Sequence, residues 1–254
     1  MDPLKLRSLL RQYRHFREKR LEEQALMLKF EKDFGEYNSK AAVNERAESK
    51  YLYPCLYDNT EFTEIEPVYF YQDAWAFERI YLMKPDKHVD IGSQHKFVSQ
   101  LSKVVNLTMV DIRPLSLPMN SIKFIKGSIL DLPFSENSVD SLSSLCVIEH
   151  IGLGRYGDPI DPKGAIKAFR EIDRSIKIGG NFYFSVPIEE VNRVYFNAHR
   201  AFKEDYLLED LLANYKLIDK KYIFGNDFID VKRSGWGIGC YHMEKIKNDK
   251  VWVL

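Results

Sequence analysis

The chain has 254 residues with 37 basic and 37 acidic side chains, so its formal charge is zero. This length suits one α/β domain with an appended segment, or two small domains. Apolar residues (45%) and charged residues (29%) occur in proportions that exclude a disordered chain, and the neutral balance argues against a dedicated nucleic-acid binder. Three widely spaced cysteines indicate reduced thiols in a cytoplasmic protein, and we expect no transmembrane segment.

The first 50 residues are predicted to form a helical extension. An apolar stripe recurs at helical spacing along Leu6, Leu9, Leu10, Tyr13 and Phe16. Residues 1–20 carry seven basic and two acidic side chains, which indicates a solvated face on a helix that packs on the protein body or on a second copy. A helix lying on an anionic membrane surface or a nucleotide-linked lipid is the alternative. We therefore expect an extension over 1–50, with a possible homodimer through it, and a main domain over 51–254.

Short apolar runs alternate with connecting segments from about residue 86. Strands are predicted at His88–Ile91, Leu107–Ile112, Ile122–Lys126, Ser141–Val147 and Asn181–Val186. They are separated by Phe97–Val105, a proline-rich turn at Pro114–Pro118, Leu130–Ser138 and a helix over Ala165–Ile176. Because parallel neighbours need crossover connections, this order predicts a mostly parallel sheet covered on both faces.

The last third of the chain predicts a helix over Lys203–Asn214 and two strands, Tyr215–Phe224 and Gly239–Lys245. The two strands form a C-terminal antiparallel hairpin added to the sheet. The predicted fold class is a doubly wound, Rossmann-like α/β domain.

Three acids lie at predicted strand ends, where open α/β sheets bind their ligands. Asp90, Asp111 and Asp131 are separated by 21 and 20 residues, about one β–α unit each. An acid after the second strand can accept both hydroxyls of a ribose, so Asp111 alone does not separate a nicotinamide cofactor from an adenosyl one. The first loop disfavours NAD, because a dinucleotide fingerprint needs glycine at positions where this chain has Gln94 and Phe97.

Asp90-x-Gly92 followed by Asp111 and Asp131 resembles the class I S-adenosylmethionine methyltransferases. The resemblance implies that the loop after the first strand meets the methionine end of S-adenosylmethionine, that Asp111 holds the ribose and that Asp131 lies near the adenine. That superfamily usually has more glycine in the first loop, where this chain has Ser93-Gln94-His95-Lys96. Either Ser93, Gln94 or backbone N–H groups hold the methionine carboxylate, or the site is degenerate.

A longer resemblance rests on Tyr71-Gln-Asp-Ala-Trp75, His88-Val-Asp-Ile-Gly-Ser93 and the stretch from Ser144 to Pro162. These motifs resemble the bacterial methyltransferase-like family catalogued as domain of unknown function 268, over roughly residues 50–245. The resemblance implies S-adenosylmethionine as cofactor and favours a saccharide or other small-molecule acceptor in surface polysaccharide synthesis. The expected cofactor-binding residues are Asp90, Gly92, Ser93, Asp111, Ile112, Ser128, Ile129, Asp131 and Cys146.

The segment Ile151–Gly164 is predicted to carry the chemistry. It is 14 residues long and holds four glycines and two prolines, whereas such connections usually have about 2–6 residues. His150, just before it, is the first candidate for a general base, and His199 is the second. Arg155 and Arg200 are candidates for pairing with an anionic group on the acceptor. The expected catalytic set is His150, Asp158 and His199, and the expected acceptor-binding set is Tyr71, Trp75, Arg155, Tyr156 and Arg200.

These features predict a cytoplasmic S-adenosylmethionine-dependent methyltransferase that acts on an oxygen of a sugar or sugar-nucleotide precursor. No metal is expected, because the acids and histidines show no fixed ligand spacing. A non-catalytic partner of a glycan-assembly enzyme is the first alternative, and an NAD-dependent oxidoreductase is the second.

Overall fold

The computed structural model describes residues 3–252, apart from the side chains of residues 3–10 and 12. It forms two compact units, one up to Glu64 and one from Ile65. The N-terminal unit contains helix α1 (Pro3–Lys40) and two short 3₁₀ turns, Val43–Glu45 and Ser49–Tyr51. The predicted helix over 2–50 is therefore too long. It ends at Lys40, after which the chain turns back. The side-chain N–H of Asn38 donates to the carbonyl oxygen of Ala47, and the side-chain oxygen of Asn38 accepts from the Ala47 N–H.

The predicted apolar stripe of α1 lies partly outside the described residues, since the side chains of Leu6, Leu9 and Leu10 are among those excepted. Tyr13 and Phe16 are each 64% exposed. The expected boundary at residue 50 stays a prediction.

The second unit is built on one mixed sheet. Its first strands are β1 (Lys87–Ile91), β2 (Asn106–Asp111), β3 (Ile122–Lys126), β4 (Val139–Leu145) and β5 (Ile176–Glu189). The later strands are β6 (Arg193–Tyr195), β7 (His199–Lys203), β8 (Tyr215–Phe224), β9 (Asp227–Ile229) and β10 (Gly237–Lys245). The spatial order is β3-β2-β1-β4-β5-β10-β8-β9. Strands β1 to β5 are parallel, and β10 lies antiparallel between β5 and β8.

Helices cover the sheet on both faces, because successive buried side chains of β5 pack into two different cores. Phe182 and Phe184 pack into one core with α4 (Gly164–Ser175), whereas Tyr183 packs into the other core with α2 (Pro67–Met83) and α3 (His95–Leu101). The predicted fold class, a doubly wound Rossmann-like domain with a C-terminal antiparallel pair, is confirmed.

The predicted helix over Lys203–Asn214 is confirmed over residues 204–211 and is wrong at both ends. Its first residue ends strand β7, which pairs in parallel with the end of β5, and the remainder contains a π-helical turn over Tyr206–Leu211. Strands β6 and β9 were not expected from the sequence. Each has three residues, so neither shows a measurable period in the sequence.

Candidate functional site

A cavity of about 480 Å³ opens where β1, β2 and β4 reach their carboxyl ends. This is the edge at which open α/β sheets bind ligands. The residues predicted for the site that line the cavity are Gly92, Asp111, Ile112, Ser128, Ile129, Cys146, His150, Tyr156 and Asp158. Segments far apart in the chain therefore meet around one space.

Gly92 brings the backbone close to the cavity wall. It has φ +66°, and a Cβ at this position would lie 3.2 Å from Cγ1 of Val147 and 3.7 Å from Oδ2 of Asp111. A larger residue would be strained by the left-handed backbone and would fill the space beside the Asp111 carboxylate. The first loop thus keeps a glycine at its most crowded point.

Asp111 presents one free carboxylate oxygen at the end of β2. Its Oδ1 accepts a hydrogen bond of 2.8 Å from the backbone N–H of Arg113, which fixes the side chain. No hydrogen bond from the described residues reaches Oδ2, and the side chain is 15% exposed. A fixed, partly buried carboxylate with one open oxygen suits a hydroxyl donor such as ribose.

Asp90 and Ser93 brace the first loop and do not line the cavity. Asp90 is fully buried, accepting from the Ser93 N–H at 3.1 Å and from the Ser143 hydroxyl at 2.6 Å. Burial raises the pKa of Asp90 to about 6. The Ser93 hydroxyl accepts from the Leu145 N–H at 3.0 Å. These bonds join β1 to β4. Asp90 and Ser93 therefore fix the position of Gly92 without contacting the cavity themselves.

His150 holds one nitrogen of its ring against the backbone and leaves the other available. It lies in a 3₁₀ turn over Ile148–His150, and Nδ1 is 2.6 Å from the carbonyl oxygen of Ala198. A carbonyl only accepts, so Nδ1 carries the proton and Nε2 of the neutral ring is an acceptor. Burial lowers the pKa of His150 to about 4, which keeps the ring neutral at neutral pH.

Glu149 is a buried carboxyl group beside this histidine. Its Oε1 lies 3.7 Å from Nε2 of His150, and its Oε2 has no hydrogen-bond partner among the described residues. Burial raises the pKa of Glu149 to about 8, so the group is protonated at neutral pH. The burial of Glu149 could not be predicted from the sequence.

The two ends of the Ile151–Gly164 segment pack tightly against each other through their backbones. Gly152 has φ +82°, and a Cβ there would lie 2.1 Å from the carbonyl oxygen of Asp161. The buried guanidinium of Arg200 donates to the carbonyl oxygens of Ile151 at 2.5 Å and Asp161 at 3.3 Å. Arg200 thus holds the segment together. Its guanidinium is used for these bonds and is not directed at a methyl-acceptor substrate in the cavity.

Asp158 combines a structural bond with a place in the cavity wall. Its Oδ2 accepts from the Gly152 N–H at 2.6 Å, and its Oδ1 accepts from the Tyr156 N–H at 3.3 Å. Both oxygens thus fix the segment that carries Tyr156, and the catalytic role of Asp158 stays a prediction.

The ring of Tyr156 joins the two sides of the cavity. The guanidinium of Arg113 lies 4.6 Å from its centroid and that of Arg155 lies 5.1 Å away. The His150 ring meets it edge-on at 5.5 Å. Arg113 follows β2, so the contact with Tyr156 links the Asp111 end of the cavity to the His150 end.

Five more residues predicted for the site do not line the cavity: Tyr71, Trp75, Asp131, Arg155 and His199. Arg155 donates to the carbonyl oxygen of Ala198. Asp131 is exposed and does not line the cavity. Tyr71 stacks on Phe228 and donates to the carbonyl oxygen of Asn226, and Trp75 is buried and donates to Asp219. Bonds across the sheet to residues about 150 positions away give both side chains a structural place. His199 lies outside the lining, where its Nε2 accepts from Trp236 at 3.2 Å.

Gln94, a candidate for holding the methionine carboxylate, also lines the cavity. Four further lining residues were not expected from the sequence: Tyr69, Arg113, Val147 and Pro159. Arg113 follows the strand-end acid by two residues, a spacing that could have indicated it. Tyr69 lies on α2, where no neighbouring sequence motif indicates a place in the cavity. Within the described part of the chain, no group of three or more His, Cys, Asp or Glu residues is arranged to hold a metal ion. None of the described helices is long and apolar enough to cross a membrane.

Comparison with known proteins supports the fold independently. Residues 118–237, a little under half of the chain, match a family described as "Caenorhabditis protein of unknown function, DUF268". That description does not mention bacteria, so the bacterial part of the resemblance stays an expectation. No protein with curated annotation matches the chain.

Solved structures of similar fold include the 1,6-didemethyltoxoflavin-N1-methyltransferase of Burkholderia thailandensis, bound to 1,6-didemethyltoxoflavin and S-adenosylhomocysteine. The match has 16% identity and a TM-score of 0.52, covering 72% of this chain and 80% of that one. The N-methyltransferase NodS of Bradyrhizobium japonicum, bound to S-adenosylhomocysteine, has 13% identity and a TM-score of 0.51 (72% and 90% covered). The [4+2]-cyclase SpnF has the same identity and TM-score (69% and 81% covered).

These identities are low, so the likeness concerns the fold. The strand order, the antiparallel β10 and the cavity at the carboxyl ends of the strands agree with it. The chain therefore has the Rossmann-like methyltransferase fold.

Proposed function

We propose that this protein is an S-adenosylmethionine-dependent methyltransferase that methylates an oxygen of a sugar or sugar-nucleotide precursor in surface polysaccharide synthesis. The observation that carries the proposal is one cavity that joins a free carboxylate oxygen of Asp111 to a free ring nitrogen of His150. The first suits the ribose of an adenosyl cofactor, and the second suits a proton leaving an acceptor.

The lining residues fit such a cofactor. Gly92 leaves room beside the Asp111 carboxylate that a Cβ would occupy. Apolar side chains of Ile112, Ile129 and Leu130 line the same cavity and suit the faces of an adenine ring. S-adenosylmethionine supplies, when bound, a methyl group on a positively charged sulfur. The absence of a second and third glycine in the first loop is consistent with Gln94 lining the cavity there.

The proposed role of His150 is to accept the proton of the acceptor hydroxyl. As the acceptor oxygen forms its bond to the methyl carbon and the carbon–sulfur bond breaks, the hydroxyl proton passes to Nε2 of His150. Ala198 orients the ring through Nδ1, and Tyr156 packs edge-on against it. Burial lowers the pKa of His150 to about 4, so the ring is unprotonated at neutral pH. Because such a ring is a weak base, it takes the proton only as methyl transfer makes the acceptor hydroxyl acidic.

A cytoplasmic location belongs to the same proposal. The three cysteines are free thiols in the structure, which is consistent with a reducing compartment.

The test is His150→Ala, assayed by formation of S-adenosylhomocysteine with a panel of nucleotide-activated sugars and free glycosides as acceptors. Loss of a general base lowers turnover by about 10²–10⁴-fold. S-adenosylhomocysteine affinity, measured by calorimetry, should stay within a few-fold, since the adenosyl contacts are assigned to other strands. His15→Ala, which removes an exposed imidazole on α1, is the matched control and should retain turnover.

Wild-type turnover by His150→Ala across pH 6–9 would contradict the assignment of His150. Cofactor binding by the wild-type chain without turnover on any sugar would favour the alternative of a non-catalytic partner of a glycan-assembly enzyme. The cyclase SpnF, which has a similar fold, shows that the fold alone does not set the reaction.

A further inference from the structure

Three aromatic rings, those of Tyr195, His199 and Trp236, form a cluster outside the cavity. The Tyr195 and His199 centroids are 4.9 Å apart, and those of His199 and Trp236 are 5.9 Å apart. The side chain of Trp236 is 45% exposed, and its indole N–H donates to the ring of His199. We refer to these three residues as the aromatic cluster.

The cluster is attached directly to the candidate site. Ala198, which precedes His199, accepts the bond from His150 Nδ1 and a second bond of 3.2 Å from Arg155. The neighbouring side chain of Asn197 donates to the carbonyl oxygen of Leu153. The backbone that orients His150 therefore also carries His199, so the cluster lies next to the place where the acceptor must react.

The cluster is held in a fixed arrangement by its neighbours. The carboxylate of buried Glu189 accepts from the Tyr195 hydroxyl and pairs with Arg193 at 3.1 Å. The carboxylate of Glu190 accepts from Ser234 and from the Gly235 N–H, which ties down the loop that carries Trp236. Arg193 neutralises Glu189, whereas the partners of Glu190 are uncharged.

Hydrogen bonding within the cluster leaves one defined donor. The indole N–H of Trp236 only donates, so Nε2 of His199 accepts and the neutral ring carries its proton on Nδ1. Among the described residues, no acceptor bonds this Nδ1–H. The cluster therefore offers an exposed aromatic surface beside a free N–H donor.

This combination favours a sugar ring over a nucleobase. The rings are tilted by 38° and 59°, so they form separate faces and no parallel slot into which a flat base would stack. A sugar presents C–H groups to a single aromatic face and hydroxyl groups to an adjacent donor. We propose that the aromatic cluster is a subsite for a non-reacting sugar ring of the acceptor, and this inference rests on the proposed function.

The experiment follows the indole N–H signals of the three tryptophans by NMR while the ¹⁵N-labelled full chain is titrated with methyl glycosides of glucose, galactose and N-acetylglucosamine. Trp236→Phe identifies the Trp236 signal by its loss. We expect at least one glycoside to shift this signal and to leave those of buried Trp75 and of Trp252 in place. His199→Phe keeps a ring but removes the donor, and should weaken that binding about 2–12-fold, the effect of one neutral hydrogen bond.

Tyr81→Ala, which removes an exposed aromatic side chain on α2, is the matched control and should not change the titration. Shifts produced by adenosine monophosphate or by anionic vesicles, but by none of the glycosides, would overturn the inference, and so would an unmoved Trp236 signal with all of them. S-adenosylhomocysteine is titrated into the same samples. If S-adenosylhomocysteine fails to bind while the glycosides shift Trp236, the proposed function is wrong and the sugar subsite stands.

Discussion

Replacement of Asp111 by alanine should weaken S-adenosylhomocysteine binding at least tenfold. Its Oδ2 is the free acceptor in the cavity, and its Oδ1 is already bonded to the Arg113 N–H at 2.8 Å. A hydrogen bond to a charged group contributes about 1.5–3 kcal/mol, which corresponds to roughly 10–150-fold in the dissociation constant. Asp111→Asn keeps an acceptor for the Arg113 N–H but loses the charge, so we expect a smaller loss of affinity.

Calorimetry with S-adenosylhomocysteine measures this effect, and thermal unfolding shows whether each variant is folded. Asp131→Ala is the matched control, because Asp131 is an exposed acid outside the cavity lining. Its affinity should equal that of the wild-type chain. A folded Asp111→Ala variant with unchanged affinity, or an equal loss in Asp131→Ala, would refute the placement of the ribose at Asp111.

Three further predictions test the surroundings. Gly92→Ala should lower the free energy of unfolding by about 1–3 kcal/mol, because alanine is strained at φ +66°. It should also lower cofactor affinity at least tenfold in calorimetry. An unchanged affinity would mean that no ligand approaches this backbone. Burial raises the pKa of Glu149 from 4.5 to about 8, so the folded chain keeps a proton that the unfolded chain releases, and stability falls as the pH rises through this window. Glu149→Gln should therefore raise the melting temperature at pH 8.5 by at least about 3 °C relative to wild type and raise it much less at pH 4.5; an equal change at both pH values would contradict an ionisation effect. Deletion of residues 1–34 should leave S-adenosylhomocysteine affinity unchanged and alter the oligomeric state in sedimentation, whereas lost affinity would show that this segment takes part in cofactor binding.

Most strands could be predicted because apolar residues recur along short runs that are bounded by turn residues. The runs over Ile122–Lys126 and Tyr215–Phe224 have the predicted bounds. The segment after β5 could not be predicted in the same way. The sequence predicts Lys203 as the start of a helix, but its pairing with Glu189 makes it the end of a strand.

The candidate site could be predicted where a residue ends a strand or directly follows one. Gly92 and Asp111 are such residues, and both line the cavity. Sequence alone could not show which polar groups are already bonded within the protein. The guanidinium of Arg200 donates to backbone carbonyl oxygens of the Ile151–Gly164 segment, about 40–50 residues earlier in the chain. The carboxylate of Asp90 accepts from the hydroxyl of Ser143, about 50 residues later. The assignment of such groups to a ligand requires knowledge of their contacts in the folded chain.

The central claim is that the cavity binds an adenosyl cofactor beside His150. Calorimetric titration of the full-length wild-type chain with S-adenosylmethionine, S-adenosylhomocysteine and NAD tests it most directly. We expect one molecule of S-adenosylmethionine or S-adenosylhomocysteine to bind per chain and NAD to give no heat of binding. Binding of NAD, or no binding of either adenosyl compound by the folded chain, would contradict the account.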